Sequence, residues 1–228
     1  MKEIIDFLEK INVNNNREWF NEHKEEYKEA QNTFNEIAQK IILGVKEFDN
    51  RCQNLSLKDC TYRFYRDIRF SKDKSPYKNH FGVFVCSGGK KSMKAGYYFH
   101  IEPKGGNYLQ NSMLCCGSYC PTPQMIKSVR EDIVDYGKDF EKSIKTAKHF
   151  TLDTENTLKN NPKGFNSCDF DYLLRLKNYL LDMPIDEDFL YSNNLVENIL
   201  NEFYSAKDFV ELINRAIDYV DEQETFSF

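Results

Sequence analysis

The spacing of apolar residues changes twice along this chain of 228 residues, and that change limits the folds open to it. After Asn14-Asn15-Asn16, apolar side chains recur at Phe20, Tyr27, Phe34, Ile37, Ala38, Ile41, Ile42 and Val45. Such gaps of three, four and seven draw one stripe on a helix. Asn15 is placed to cap it, with Glu18 three residues on to complete a capping box. A shorter helix carrying Ile4, Ile5, Phe7 and Leu8 precedes it. From Arg63 to Phe70 the spacing falls to two: Phe64, Ile68 and Phe70 share one face of a strand, with Arg63, Tyr65, Asp67 and Arg69 on the other. Arg66 breaks the rule by joining the apolar face, either rotated out by a bulge or buried and paired. Phe81 to Cys86 is apolar on both faces, as a central strand would be, and Gly96 to Glu102 alternates again. A further strand is expected over Asn107 to Cys116, with Gly88-Gly89 and Gly105-Gly106 as turns between strands. Helical spacing returns at Thr122-Pro123, an N-cap followed by proline, and continues through Ile126, Val129, Ile133 and Tyr136. Phe170 to Leu181 reads as another helix. The C-terminal helical region opens at Asn194 and breaks near Ser205, where Ser205 and Asp208 form a second capping box.

This order predicts a single α+β domain, helical over 1–50, a sheet over 61–118 and helical over 122–222. Helices and strands fall in blocks, which argues against a doubly wound parallel sheet. With 40% hydrophobic residues the chain can bury a substantial core.

Charge is distributed unevenly. Thr61 to His80 holds Arg63, Arg66, Arg69, Lys72, Lys74 and Lys78 against Asp67 and Asp73, a local charge of +4 in a chain of net −5. Tyr62, Tyr65 and Tyr77 lie among these cations. A dense cationic island in an acidic chain is the electrostatic signature of an anion site. The acidic remainder makes duplex DNA a poor partner, since a domain-wide basic face is expected there.

Seven irregularly spaced cysteines argue against a secreted disulfide scaffold and for reduced thiols in the cytoplasm. Lys2, Glu3 and Asp6 interrupt any apolar leader at the start, and the longest uncharged run, Gly105 to Ile126, is too polar for a membrane span. Cys115, Cys116 and Cys120 lack the paired spacing of a zinc site, so no metal is expected, and no cofactor is implied. Phosphate-binding P-loop, GxGxxG, HExxH and GxSxG patterns do not occur.

Several segments together resemble a known family. NNNREWF at Asn14 to Phe20, YRFYRDIRFSKDKSPYKNHFG at Tyr62 to Gly82, AGYYFHIEP at Ala95 to Pro103 and NPKGF at Asn161 to Phe165 are similar to the domain-of-unknown-function family 2461, uncharacterised proteins of bacteria and fungi. The resemblance implies one α+β domain and carries no established activity. Where the family has a glycine triplet, this chain has Cys115-Cys116-Gly117, so the first two positions do not require glycine.

Three functions follow from these residues. In the first, Arg63, Arg66, Arg69, Lys72, Lys74, Tyr77 and Lys78, with Arg17 from the helix start, bind a small phosphate or carboxylate anion. His100, Glu102 and Asp67 are the candidate proton carriers, and His80 is placed to join them; whether chemistry follows binding is left open. In the second, the island binds an acidic protein or a single nucleic-acid strand, with Tyr65 and Tyr77 stacking on bases. In the third, the arginines form a structural ion-pair network. The oligomeric state is not legible.

Overall fold

The computed structural model describes residues 1–225, with side chains through residue 220. Three helices lead: α1 (Lys2–Val13), α2 (Arg17–Glu22) and α3 (Lys24–Phe48), followed by the short α4 (Leu57–Cys60). The stripe Ile4, Phe7, Leu8 and Ile11 of α1 is buried, as are Phe34, Ala38, Ile41, Ile42 and Val45 of α3. The expected single long helix is broken at His23, which has φ −108° and ψ 24°. Asn16, not Asn15, caps α2, its side chain accepting from the Trp19 N–H at 2.9 Å.

Three strands follow, β1 (Phe81–Cys86), β2 (Gly96–Ile101) and β3 (Met113–Ser118), then α5 (Pro123–Thr146), the two-residue β4 (Thr151–Leu152), α6 (Asp171–Leu174) and β5 (Tyr179–Pro184). The chain closes with α7 (Glu187–Leu190), α8 (Leu195–Ser205) and α9 (Lys207–Thr225). All pairings are antiparallel, in the order β1-β2-β3-β5-β4. Thr122 caps α5 as its sequence implies, accepting from the Met125 N–H at 3.2 Å.

Register separates the two faces of the sheet. Val83, Tyr97, Phe99, Leu114, Cys116, Leu181 and Tyr179 point into the helical side and are fully buried. Tyr97 meets Phe48 of α3 and Phe203 of α8 there. From α9, Asn214 exchanges both of its amide bonds with the backbone of Ala95, at 2.8 and 3.0 Å, and so fixes the entry to β2. The opposite face carries Gly82, Phe84, Tyr98, His100, Cys115 and Asp182, and is bordered by irregular chain.

Four expectations are corrected. Residues 63–70 are not a strand: they lie in a loop whose bridges are Thr61 to Val83 and Tyr65 to Tyr77. Phe64 is buried, but Phe70 is 96% exposed, so the alternation has no common apolar face to bury. Asp67 and Asp73 also accept from the backbone N–H two residues on, a local turn bond that competes with ladder pairing. Residues 170–181 divide into α6 and β5, because Tyr179 and Leu181 pair with Ser118 and Cys116 of β3. The strand expected from Asn107 begins only at Met113. The break after Ser205 is present, but the Ser205 hydroxyl donates to the Glu202 carbonyl at 2.7 Å instead of capping α9.

Candidate functional site

The cationic island is a closed loop. The Arg66 N–H donates to the Pro76 carbonyl and the Lys78 N–H to the Phe64 carbonyl, both at 2.9 Å. Beneath this neck, Tyr77 stacks on Phe20 with ring centroids 3.9 Å apart and is buried, so it is unavailable for base stacking. Asn15 donates to the Tyr77 carbonyl at 2.9 Å and accepts from its N–H at 3.1 Å. The segment before α2, and exposed Arg17 with it, is therefore joined directly to the island.

Much of the island's charge is already partnered. Arg66 pairs with Asp73 and donates to the Ser75 carbonyl at 3.1 Å. Arg69 holds Asp67 through two bonds of 2.6 and 3.0 Å, and these bonds draw the Asp67 carboxyl down to about 2. Asp67 thus stays ionised at neutral pH and makes no contact with His100 or Glu102. Lys74 donates to the Ile68 carbonyl at 2.9 Å. Arg63 and Lys72 are exposed and make no hydrogen bond or ion pair among the described residues.

Lys78 is different. It is half-buried, and its ammonium lies 5.1 Å from the centre of the Tyr62 ring with no carboxylate partner among the described residues. Burial lowers its pKa, and neighbouring Arg63 lowers it further. Lys90 approaches the same ring at 5.9 Å.

Beside Lys78 lies a buried polar cluster built around Glu102. Spacing of two puts His100 and Glu102 on one side of the chain, as the alternation of β2 requires. Both are buried, with His100 Nε2 3.1 Å from Glu102 Oε2. Glu102 also accepts from Asn79 Nδ2 at 2.9 Å and from the N–H groups of Tyr108, Leu109 and Gln110 at 2.8, 2.6 and 3.1 Å. Burial works to raise its pKa, but the bonds from His100 and from the Leu109 and Tyr108 N–H groups outweigh it and the net shift is downward. Gly106 lets this loop approach, since a Cβ there would sit 2.3 Å from Glu102 Oε1. With five donors on it, Glu102 orients its neighbours; it is not a free base.

With Nε2 on Glu102, the other ring nitrogen of His100, Nδ1, faces the Tyr98 hydroxyl 2.9 Å away. The result is a Tyr98–His100–Glu102 chain ending in a phenol on the open face of the sheet. Burial raises the Tyr98 pKa well above its usual range, so the phenol keeps its proton. His80 lies against the same cluster: its ring stacks on Tyr108 at 4.4 Å and lies 4.8 Å from His100.

The pairing of His100 with Glu102 was legible from spacing, and His80 was placed beside them. Asn79 was missed. The signal was present in Tyr77, Asn79 and Phe81, which alternate inward and bury one polar side chain among aromatics. Cys115 and Cys116 face opposite sides of the sheet, and no cluster of three metal-ligating side chains occurs among the described residues. An open cleft of about 1070 Å³ between the start of α1, α3 and α8 includes none of the residues named in this site. Among the described residues no helix is long and apolar enough to cross a membrane.

A five-stranded antiparallel sheet packed by helices defines an α+β protein. The chain belongs to the family DUF2461, described as conserved hypothetical protein, which it matches over residues 3–212. No curated protein and no solved structure matches it.

Proposed function

We propose that the open face of the sheet, where it meets the island, binds a small oxyanion of the phosphate or carboxylate class. The carrying observation is Lys78, a half-buried ammonium with no carboxylate partner among the described residues. Burying a cation without a counter-charge is unfavourable, and a guest anion relieves that cost. Arg63, exposed and unpaired nearby, supplies a second charge, and Arg17 and Lys72 draw the anion in from solvent. Arg66, Arg69 and Lys74 hold the loop in shape through Asp73, Asp67 and the Ile68 carbonyl. Should chemistry follow binding, His100 and Glu102 serve it by holding the Tyr98 hydroxyl, while Asp67 acts on the shape of the loop and not on protons.

Titration of the protein with inorganic phosphate, followed by calorimetry and amide chemical shifts, tests this reading. Saturable binding that is lost in Lys78→Ala and weakened in Arg63→Ala, with unchanged thermal unfolding, supports it. Equal binding by wild type and Lys78→Ala defeats it.

One observation favours a second reading. Phe70 is 96% exposed beside the Arg69 guanidinium, and Tyr65 is 51% exposed on the same loop. Exposed rings interleaved with cations suit a single nucleic-acid strand. A strand would lose affinity steeply with salt, with a log–log slope of about −0.7 for each phosphate neutralised. Binding of an oligonucleotide with such a slope, abolished in Phe70→Ala, would establish it.

A further inference from the structure

Glu102 governs a second imidazole besides His100, through Asn79. The Asn79 amide nitrogen faces the Glu102 carboxylate at 2.9 Å and Asn12 Oδ1 at 2.9 Å, which fixes the orientation of the amide. Its Oδ1 therefore turns to His80 Nδ1, 3.3 Å away, and can only accept. The His80 proton then sits on Nδ1, and Nε2 keeps a lone pair. Stacking on Tyr108, whose own N–H is bonded to Glu102, holds the ring plane. Nε2 has no partner among the described residues, and His80 is half-buried two residues from Lys78. Burial, followed by the neighbouring His100 and Lys78, lowers the His80 pKa to about 3, so the ring is neutral at pH 7.

We propose that His80 Nε2 is a built-in hydrogen-bond acceptor of the anion site, and that the site therefore selects an oxyanion carrying an O–H group, such as hydrogen phosphate or a singly protonated phosphate monoester. This rests on the anion reading of Lys78 and goes beyond it to the protonation state of the guest. Lys78 takes the charge and His80 takes the hydrogen bond from the protonated oxygen. Sulfate has the same shape but no proton at neutral pH. It meets a lone pair with a lone pair, and an acceptor facing an acceptor excludes it.

The test compares phosphate with sulfate at pH 7, for wild type and for His80→Phe, which keeps a ring against Tyr108 and removes the acceptor. Wild type is expected to favour phosphate by about tenfold, equivalent to ~1.4 kcal/mol, and His80→Phe to bind both alike. Nitrogen-detected correlation spectra of the wild-type histidines are recorded alongside, so that the result does not depend on the variant folding. An unprotonated Nε2 that shifts on phosphate addition supports the proposal. A proton on Nε2, or equal wild-type affinity for the two anions, overturns it while leaving the Lys78 reading intact. If neither anion binds, both readings fall.

Discussion

Replacing Glu102 by Gln removes one oxygen from a carboxylate that takes five hydrogen bonds. Oε1 accepts from Asn79 Nδ2 and the Tyr108 N–H, and Oε2 from His100 Nε2 and the Leu109 and Gln110 N–H groups. The least disruptive placement puts the new NH2 where Oε1 was, and two donors then face a donor. Each buried donor left without an acceptor costs ~1–3 kcal/mol, so the loss is about 4 kcal/mol. At roughly 2–4 °C per kcal/mol for a chain of this size, the melting temperature should fall by about 8–16 °C. Urea unfolding and calorimetry at pH 7 measure both quantities. The pH profile gives an independent check. The Glu102 pKa is lowered in the fold, so its contribution is full above the unfolded value of about 4.3 and is lost as pH falls through the lower folded value. The gap between wild type and Glu102→Gln should therefore narrow in acid. A loss below ~1 kcal/mol at pH 7, or a gap that persists unchanged in acid, would refute the account of Glu102 as an ionised hub.

Four shorter predictions accompany it. His80 is neutral in the fold with a pKa of about 3, against about 6.5 when unfolded, so the unfolded chain binds more protons between those values and stability declines as pH falls from 6.5 towards 3; His80→Phe should flatten that decline in acid unfolding curves. Gly117 has φ +130°, and a Cβ there would lie 2.0 Å from the Tyr179 carbonyl oxygen, so Gly117→Ala should cost ~3 kcal/mol or more by denaturant midpoint. Ser118 Oγ is buried without a partner, and Ser118→Ala should raise stability by about 1 kcal/mol. Asp67 and Arg69 form an exposed pair, and the double change Asp67→Asn with Arg69→Gln should leave the urea midpoint unchanged.

The helices α1, α3, α5 and α8 were legible because each commits one stripe to a shared core, and the stripe survives in the residue order. Strand β2 was legible from alternation and β1 as a short apolar run, each followed by a glycine pair. β1 is nevertheless an edge strand and not the central one its two apolar faces implied, because irregular chain covers what a further strand would have covered. Residues 63–70 also alternate, Arg66 apart, but Ile68 and Phe70 have no second layer to bury against, and sequence carries no record of what lies opposite. Tyr179 to Pro184 was concealed for a related reason: Leu173, Leu174 and Leu176 just before it extend an apolar run that fits a helix as well as a strand. Of the site, His100 and Glu102 could be paired because they are two apart on one strand. The Tyr108, Leu109 and Gln110 amides could not, since a backbone N–H has no residue type by which to announce its partner. The glycine triplet position is instructive. Cysteine stands where the backbone is ordinary strand, and glycine is kept at Gly117, where φ is positive and the Tyr179 carbonyl approaches.

The two flanks of the sheet bear on how copies of this protein can meet. At one side the last strand has only two residues, Thr151–Leu152, too short to template a newcomer. At the other, Thr61 already bridges Val83 midway along β1 and interrupts the row of free backbone groups. Both flanks therefore offer little regular edge for strand-to-strand growth, and the sheet is closed off by its own chain rather than by a partner.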